Sequence, residues 1–182
     1  RMLALSAEKG PGALPFARES EQFLLLAGTI CDEAGRYEES IRWAEEALEK
    51  YPDSAMSQNF LGYTLADRNL QLARAASLIE QAVGQEPENA AYLDSLAWVQ
   101  FRRGEDRAAL RTILQVLRLN VGLSDGVILE HAGDICSRCG LSYLSRRYWL
   151  EALASVTTER FPAMRKRIRN KLATGDAAAS DG

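Results

Sequence analysis

The sequence predicts an all-α chain of stacked helix pairs, and three observations along its 182 residues predict it. Small residues recur at Gly28, Gly62, Ala97 and Gly133, in steps of 34, 35 and 36. A second small or β-branched column, Ala47, Ala82, Val116 and Ala152, keeps the same phase with steps of 35, 34 and 36. Seven residues after each member of the first column stand Gly35, Asn69, Gly104 and Gly140, residue types that tolerate positive φ and end helices. A period of this length, broken once by a turn, makes each unit two helices, neither of which can bury its apolar face alone.

Each element follows in order. Residues 1–20 contain Gly10, Pro11, Gly12 and Pro15, match no repeat column, and read as an irregular or partly helical lead-in. The first unit, 21–54, places Leu24, Ala27, Gly28 and Cys31 at helical spacing before the turn and Ile41, Ala44, Ala47 and Leu48 after it. Units 55–89, 90–125 and 126–159 repeat the pattern, with Pro52 and Pro87 ending the first two. Ser20, Ser54, Asn89 and Ser124 stand where N-caps are needed. Ser40, Ala75, Ala109 and Ser145 are small enough to let paired helices approach closely. Residues 160–172 read as a basic capping helix with Met164, Ile168 and Leu172 on one stripe, and 173–182 as a flexible tail.

Composition excludes much of the rest. An apolar fraction of 47% with 26% charged residues of both signs is that of a folded chain. No apolar run approaches the roughly 18 uninterrupted residues of a membrane helix. No ordered basic, apolar and small-residue series marks a targeting signal in the first twenty residues. There is one histidine, His131, and no phosphate-loop or dinucleotide glycine pattern, so no cofactor is expected and catalysis is not the expected activity.

The helix pairs, small-residue columns and intervening prolines resemble the tetratricopeptide repeat, a 34-residue helix–turn–helix unit. The resemblance covers about three quarters of the chain and implies a right-handed α-solenoid of about four such pairs plus a C-terminal capping helix. Three positions depart from the family pattern. Gln58 replaces a large apolar residue early in a first helix, and Val121 and Thr157 stand where proline usually separates units. NFLGYTLADRN and LIEQAVGQEPENAAYLDSLAWVQFRRG also resemble repeat blocks of large bacterial tetratricopeptide proteins, some of them envelope lipoproteins. That implies the periplasmic side of a cell envelope, with the cytoplasm as alternative.

In the family the first helix of each pair lines a concave groove. The corresponding stripes are Gln22, Leu25, Thr29 and Asp32; Met56, Asn59, Tyr63 and Ala66; Ala91, Asp94, Trp98 and Phe101; and Val127, Glu130, Asp134 and Ser137. The candidate partner-binding set is Asn59, Tyr63, Asp94, Trp98, Phe101, Glu130 and Asp134, an aromatic centre in an acidic surround. Aromatics at helical spacing serve equally as core, but Leu93, Leu96, Ala97 and Gln100 already supply that helix's packing columns, so Trp98 and Phe101 read as surplus and anchor-like. The lysine, arginine and asparagine clamp with which some family members grip acidic chaperone tails is missing. Such a tail is not the expected partner; a basic or extended apolar peptide is. The acids read equally as a solvated face.

Charge is partitioned. Residues 21–159 hold 13 basic and 21 acidic side chains, whereas Arg160, Arg165, Lys166, Arg167, Arg169 and Lys171 add six positive charges with no acid between them. This supports an alternative reading, an assembly or self-association module of a longer bacterial envelope protein contacting through the cationic helix. Its bland counterpart is a solvated cap whose basic residues pair with neighbouring acids. No nucleic-acid motif accompanies those charges, so nucleic acid is not an expected partner. Cys136 and Cys139 form a CSRC motif short of zinc ligands, and Cys31 occupies the same repeat column as Cys136, which reads as small core residues with no metal site. The expected function is therefore a non-catalytic scaffold that holds a peptide or protein.

Overall fold

The computed structural model describes residues 20–119, 125–156 and 162–180, with side chains through Thr174. Among the described residues there are nine α-helices and no strand. The chain divides into two compact units, Arg1–Ala82 and Val83–Gly182. The first holds α1 (Glu21–Glu33), α2 (Tyr37–Lys50), α3 (Ala55–Asp67) and most of α4 (Leu72–Gln85). The second holds α5 (Ala90–Arg102), α6 (Asp106–Arg118), α7 (Gly126–Arg138), α8 (Ser142–Ser155) and α9 (Pro162–Ser180).

The turn column behaves as its chemistry requires. Gly35, Asn69, Gly104 and Gly140 all have positive φ, at 73°, 58°, 78° and 75°. In each turn the following residue donates its N–H five residues back, Arg36 to Cys31 O, Leu70 to Leu65 O, Glu105 to Gln100 O and Leu141 to Cys136 O, at 2.8–2.9 Å. This closes the orphan carbonyls at the helix end and reverses the chain in four places by one device. Ser20, Ser54 and Asn89 cap α1, α3 and α5 through their side chains. The fourth cap differs from the expectation by one residue. Asp125 caps α7, its carboxylate accepting from Val127 N at 2.8 Å and Ile128 N at 3.4 Å, while Ser124 lies outside the described residues. A carboxylate at a helix N-terminus adds favourable charge to the capping bond.

Close approach within and between pairs is visible at the glycines. A Cβ on Gly62 would lie 2.6 Å from Ile79 Cγ1 and 3.0 Å from the Ala75 carbonyl oxygen, so α3 rests directly on α4. On Gly28 it would lie 2.7 Å from the Phe60 ring, and on Gly133 it would overlap the Trp149 indole. Ser40, Ala75, Ala109 and Ser145 are all buried, as are Ala44, Ala47 and Leu61 in the first unit and Ala97, Ile113 and Ala152 in the second. Gln58, the polar departure from the family pattern, is buried and satisfied. Its amide donates to Pro52 O at 2.8 Å and to Gln81 Oε1 at 3.4 Å, tying α3 to the turn before it.

The expectations about the ends and boundaries are tested only at the last helix. The lead-in lies outside the described residues except Ser20, as do Val121 and Thr157. The last helix starts at Pro162 and does not stop at Leu172 but continues to Ser180. Pro162 at the first helical position needs no N–H there, and Ala173 and Ala177–Ala179 are strong helix formers that carry the chain past Gly175.

The glycine geometry separates two substitutions. Gly133→Ala forces the buried Trp149 out of its site and is expected to cost about 1–3 kcal/mol. Gly84→Ala, on the exposed side of α4 with nothing within 4 Å of its added methyl, is expected to stabilise by up to about 1 kcal/mol. Urea unfolding monitored by circular dichroism checks both.

Candidate interaction site

Asn59 and Tyr63 lie on α3 of the first unit, one helical turn apart and half-buried. Met56, one turn earlier on the same face, is 44% exposed. The Asn59 Oδ1 atom is buried and accepts no hydrogen bond among the described residues. Gln22 and Thr29 of α1, whose stripe belongs to the same unit, are exposed, and Leu25 between them is half-buried. At the far end of these helices Arg68 pairs with Asp32 and Asp67 and covers the Tyr37 ring with its guanidinium 3.8 Å from the ring centre. This stripe is an amide, a methionine and a tyrosine with its charges already neutralised at one end.

The stripes of the second unit are closed. Asp94, Trp98 and Phe101 of α5 are all buried, Trp98 to 6% exposure. Trp98 stacks on Phe101 at 5.0 Å and on His131 of α7 at 4.0 Å, the latter with planes 15° apart. His131 Nδ1 lies 2.9 and 3.1 Å from the two Asp94 carboxylate oxygens. Arg138 of α7 completes the layer, its guanidinium 3.4 Å over the Phe101 ring and donating to Phe101 O at 3.1 Å. The two aromatics expected to be surplus to packing are therefore core. The packing columns of α5 hold it against α6, but the stripe that carries Trp98 and Phe101 is consumed by α7, a contact no single-helix periodicity registers.

Glu130 and Asp134 of α7 face α9. Arg167 Nε and Nη2 donate to the two Glu130 oxygens at 2.6 Å each. Lys171 Nζ donates at 2.6 Å to both Glu130 Oε1 and Asp134 Oδ2. Asp134 also accepts from Trp149 Nε1 of α8 at 2.9 Å. Glu130 is only 2% exposed. In place of the solvated acidic face considered from the sequence stands an ion network around the buried Glu130, closed from the solvent side by the chain's own cationic helix, and two of that helix's cations are committed to it.

Burial and charge act oppositely on these groups. For His131 burial disfavours the charged ring, yet Asp94, then Asp134 and Glu130, outweigh it and hold its pKa above the ordinary histidine value. For Glu130 burial raises the pKa, while the hydrogen bond from Arg167 and the charge of Lys171 overcome this and hold it below the ordinary carboxylate value. The Cys136 thiol is pushed up to about 11 by burial and by neighbouring Cys139, so it is a neutral core group at physiological pH.

Sequence reasoning allowed the basic helix to pair with neighbouring acids but did not say which, and it missed the His131 and Arg138 contacts of α5. One signal was present. Asp94–His131, Phe101–Arg138, Glu130–Arg167 and Asp134–Lys171 all connect residues 37 apart. α9 therefore meets α7 in the register in which α7 meets α5, as the first helix of a further unit would.

The fold is that of the tetratricopeptide repeat. Over 87 residues, 48% of this chain and 14% of the relative's length, it is 37% identical to a TPR repeat-containing protein of Pseudomonas aeruginosa. Among solved structures it resembles a thermophilic TPR protein of Thermus thermophilus, with a TM-score of 0.68 at 17% identity over 84% of this chain and 83% of that one. It also resembles MamA of Desulfovibrio magneticus, with a TM-score of 0.57 at 14% identity over 76% of each chain. YrrB, a TPR protein with an unusual peptide-binding site, has a TM-score of 0.53 at 15% identity over 90% of this chain and 79% of that one. No protein-family model matches the chain.

Two outcomes follow for the second unit. Trp98→Ala removes a buried ring that touches α5 and α7 together and is expected to cost about 3–5 kcal/mol, so it reports on folding before it reports on binding. The His131 pKa is raised in the folded state, so its contribution to stability is complete below the ordinary histidine range and is lost as pH rises through the higher folded value. The difference in unfolding free energy between the wild-type chain and His131→Gln is therefore expected to shrink from pH 6 to pH 9, measured by urea titration at each pH.

Proposed function

We propose that the chain is a non-catalytic scaffold that holds a peptide or protein segment against the first-helix face of its first unit, around Met56, Asn59 and Tyr63. The observation that carries the proposal is Asn59 Oδ1, a buried carboxamide oxygen without a hydrogen-bond donor among the described residues, beside the exposed thioether of Met56. A buried acceptor left unmade costs about 1–3 kcal/mol, and rotation of the half-buried Asn59 side chain toward the surface lets a backbone N–H of an extended segment supply the donor it lacks. The flexible methionine adapts to apolar side chains on either side of that bond. The tetratricopeptide fold supports the reading, as does the peptide-binding site of its solved neighbour YrrB.

The acids Asp94, Glu130 and Asp134 do not serve this reading as ligand contacts, because His131, Arg167 and Lys171 already neutralise them. What remains on the α3 stripe is neutral, which favours an extended apolar and polar segment over a strongly basic one.

Peptides selected by display on the immobilised chain test the proposal. Asn59→Ala combined with Met56→Glu is expected to weaken the selected peptides at least about ten-fold, as loss of a central hot spot does. Unchanged binding by the double variant, with helicity intact, would remove the α3 face from consideration.

A further inference from the structure

The contact between α9 and α7 has an ionic half and an apolar half, and the two are unequal. Met164 and Ile168 are the α9 side chains buried among its described residues, and Leu172 is half-buried. Arg165 donates at 2.6 Å to Leu153 O and also to Val156 O, fastening the start of α9 to the end of α8. One and two turns further on, Arg167 and Lys171 grip Glu130 and Asp134, themselves one turn apart on α7. Two positive charges spaced by four on one helix thus meet two negative charges spaced by four on the other. The remaining cations Lys166 and Arg169 point to solvent.

We infer that α9 is a displaceable self-ligand, and that the stripe beneath it on α7, centred on Glu130 and Asp134, is a docking site for a basic amphipathic helix of a partner that reproduces the Met164, Arg167, Ile168 and Lys171 pattern. Charge complementarity commits the occupant. Glu130 is buried, so a helix that replaces α9 must bring a bidentate cation for it and an ammonium able to bridge to Asp134, since an uncompensated buried carboxylate is strongly unfavourable. An apolar helix lacks that compensation, and an acidic one is repelled. The geometry favours exchange because Met164 and Ile168 are the two buried apolar side chains among the described residues 162–174 of α9, so much of the hold there is ionic and replaceable in kind. The site lies in the second unit and is independent of the α3 face.

The test uses the full chain and a fluorescent peptide of residues 162–174. In the wild-type chain the site is filled by α9, which lowers the apparent affinity of the peptide by the fraction of molecules that are open. Arg167→Gln with Lys171→Gln in the chain weakens the internal helix and is expected to raise peptide affinity at least about ten-fold by anisotropy. Adding Glu130→Gln and Asp134→Asn is expected to abolish the gain, and a peptide with glutamate at both cationic positions is expected not to bind. Excess peptide added to the wild-type chain, which carries no substitution to perturb folding, is expected to accelerate amide exchange across 163–173. Equal peptide binding by wild-type and Gln variant, or unaltered exchange in the wild-type chain at saturating peptide, would overturn the inference and leave α9 as a fixed cap.

Discussion

Two helices can lie against each other at backbone distance only where one of them presents almost no side chain, and the rest of this structure depends on that steric condition. At Gly62 the space a Cβ would need is taken by Ile79 and by the Ala75 carbonyl; at Gly133 it is taken by the Trp149 indole. Large residues on the partner helix fill the space the small residue vacates, which gives interior density without a large residue on both sides. The recurring turn follows from the same geometry. A chain that must return antiparallel at this spacing reverses over a few residues, and the positive-φ position at Gly35, Asn69, Gly104 or Gly140 provides the reversal while closing the helix-end carbonyls. Asn69 shows that the requirement is conformational tolerance and not glycine itself.

In the second unit a second constraint is laid over the first. Four polar or aromatic contacts connect residues at the same separation of 37, two between α5 and α7 and two between α7 and α9. Buried ion pairs contribute modest net stability, because desolvation offsets their attraction, but leaving one partner unpaired costs about 3–5 kcal/mol. A one-residue slip of α9 on α7 would strand Glu130 in this way. Apolar packing of Met164 and Ile168 alone is more tolerant of such a slip, so the charges fix the register that the methylenes only favour.

The inner stripes of the two units differ in chemistry for a physical reason. In the second unit Asp94 and Glu130 are buried and Asp134 half-buried, and each has found a counter-group, so these acids hold the unit together. In the first unit the α3 stripe combines a buried acceptor that lacks a donor among the described residues with an exposed, polarisable side chain. The first arrangement spends its hydrogen-bonding capacity internally, whereas the second retains capacity for another molecule.

Sequence alone determined the helix pairs, their turns, three of the four first-helix caps and the small-residue columns, because each of these is set by neighbours within a few residues: helical periodicity, φ tolerance and side-chain length are local properties. It also marked residues 160–172 as basic. The far end of α9 was read too short, since Gly175 weighs against a helix locally while the alanines around it restore one. Which stripe residues are free and which are consumed was decided only by tertiary structure. Trp98 and Phe101 looked surplus because the columns of α5 were already complete, yet α7 brings His131 and Arg138 onto them from 37 residues away. Glu130 and Asp134 looked like a solvated acidic face until α9 placed Arg167 and Lys171 on them. Whether a carboxylate or an indole meets water or a partner depends on contacts that no periodicity within one helix contains.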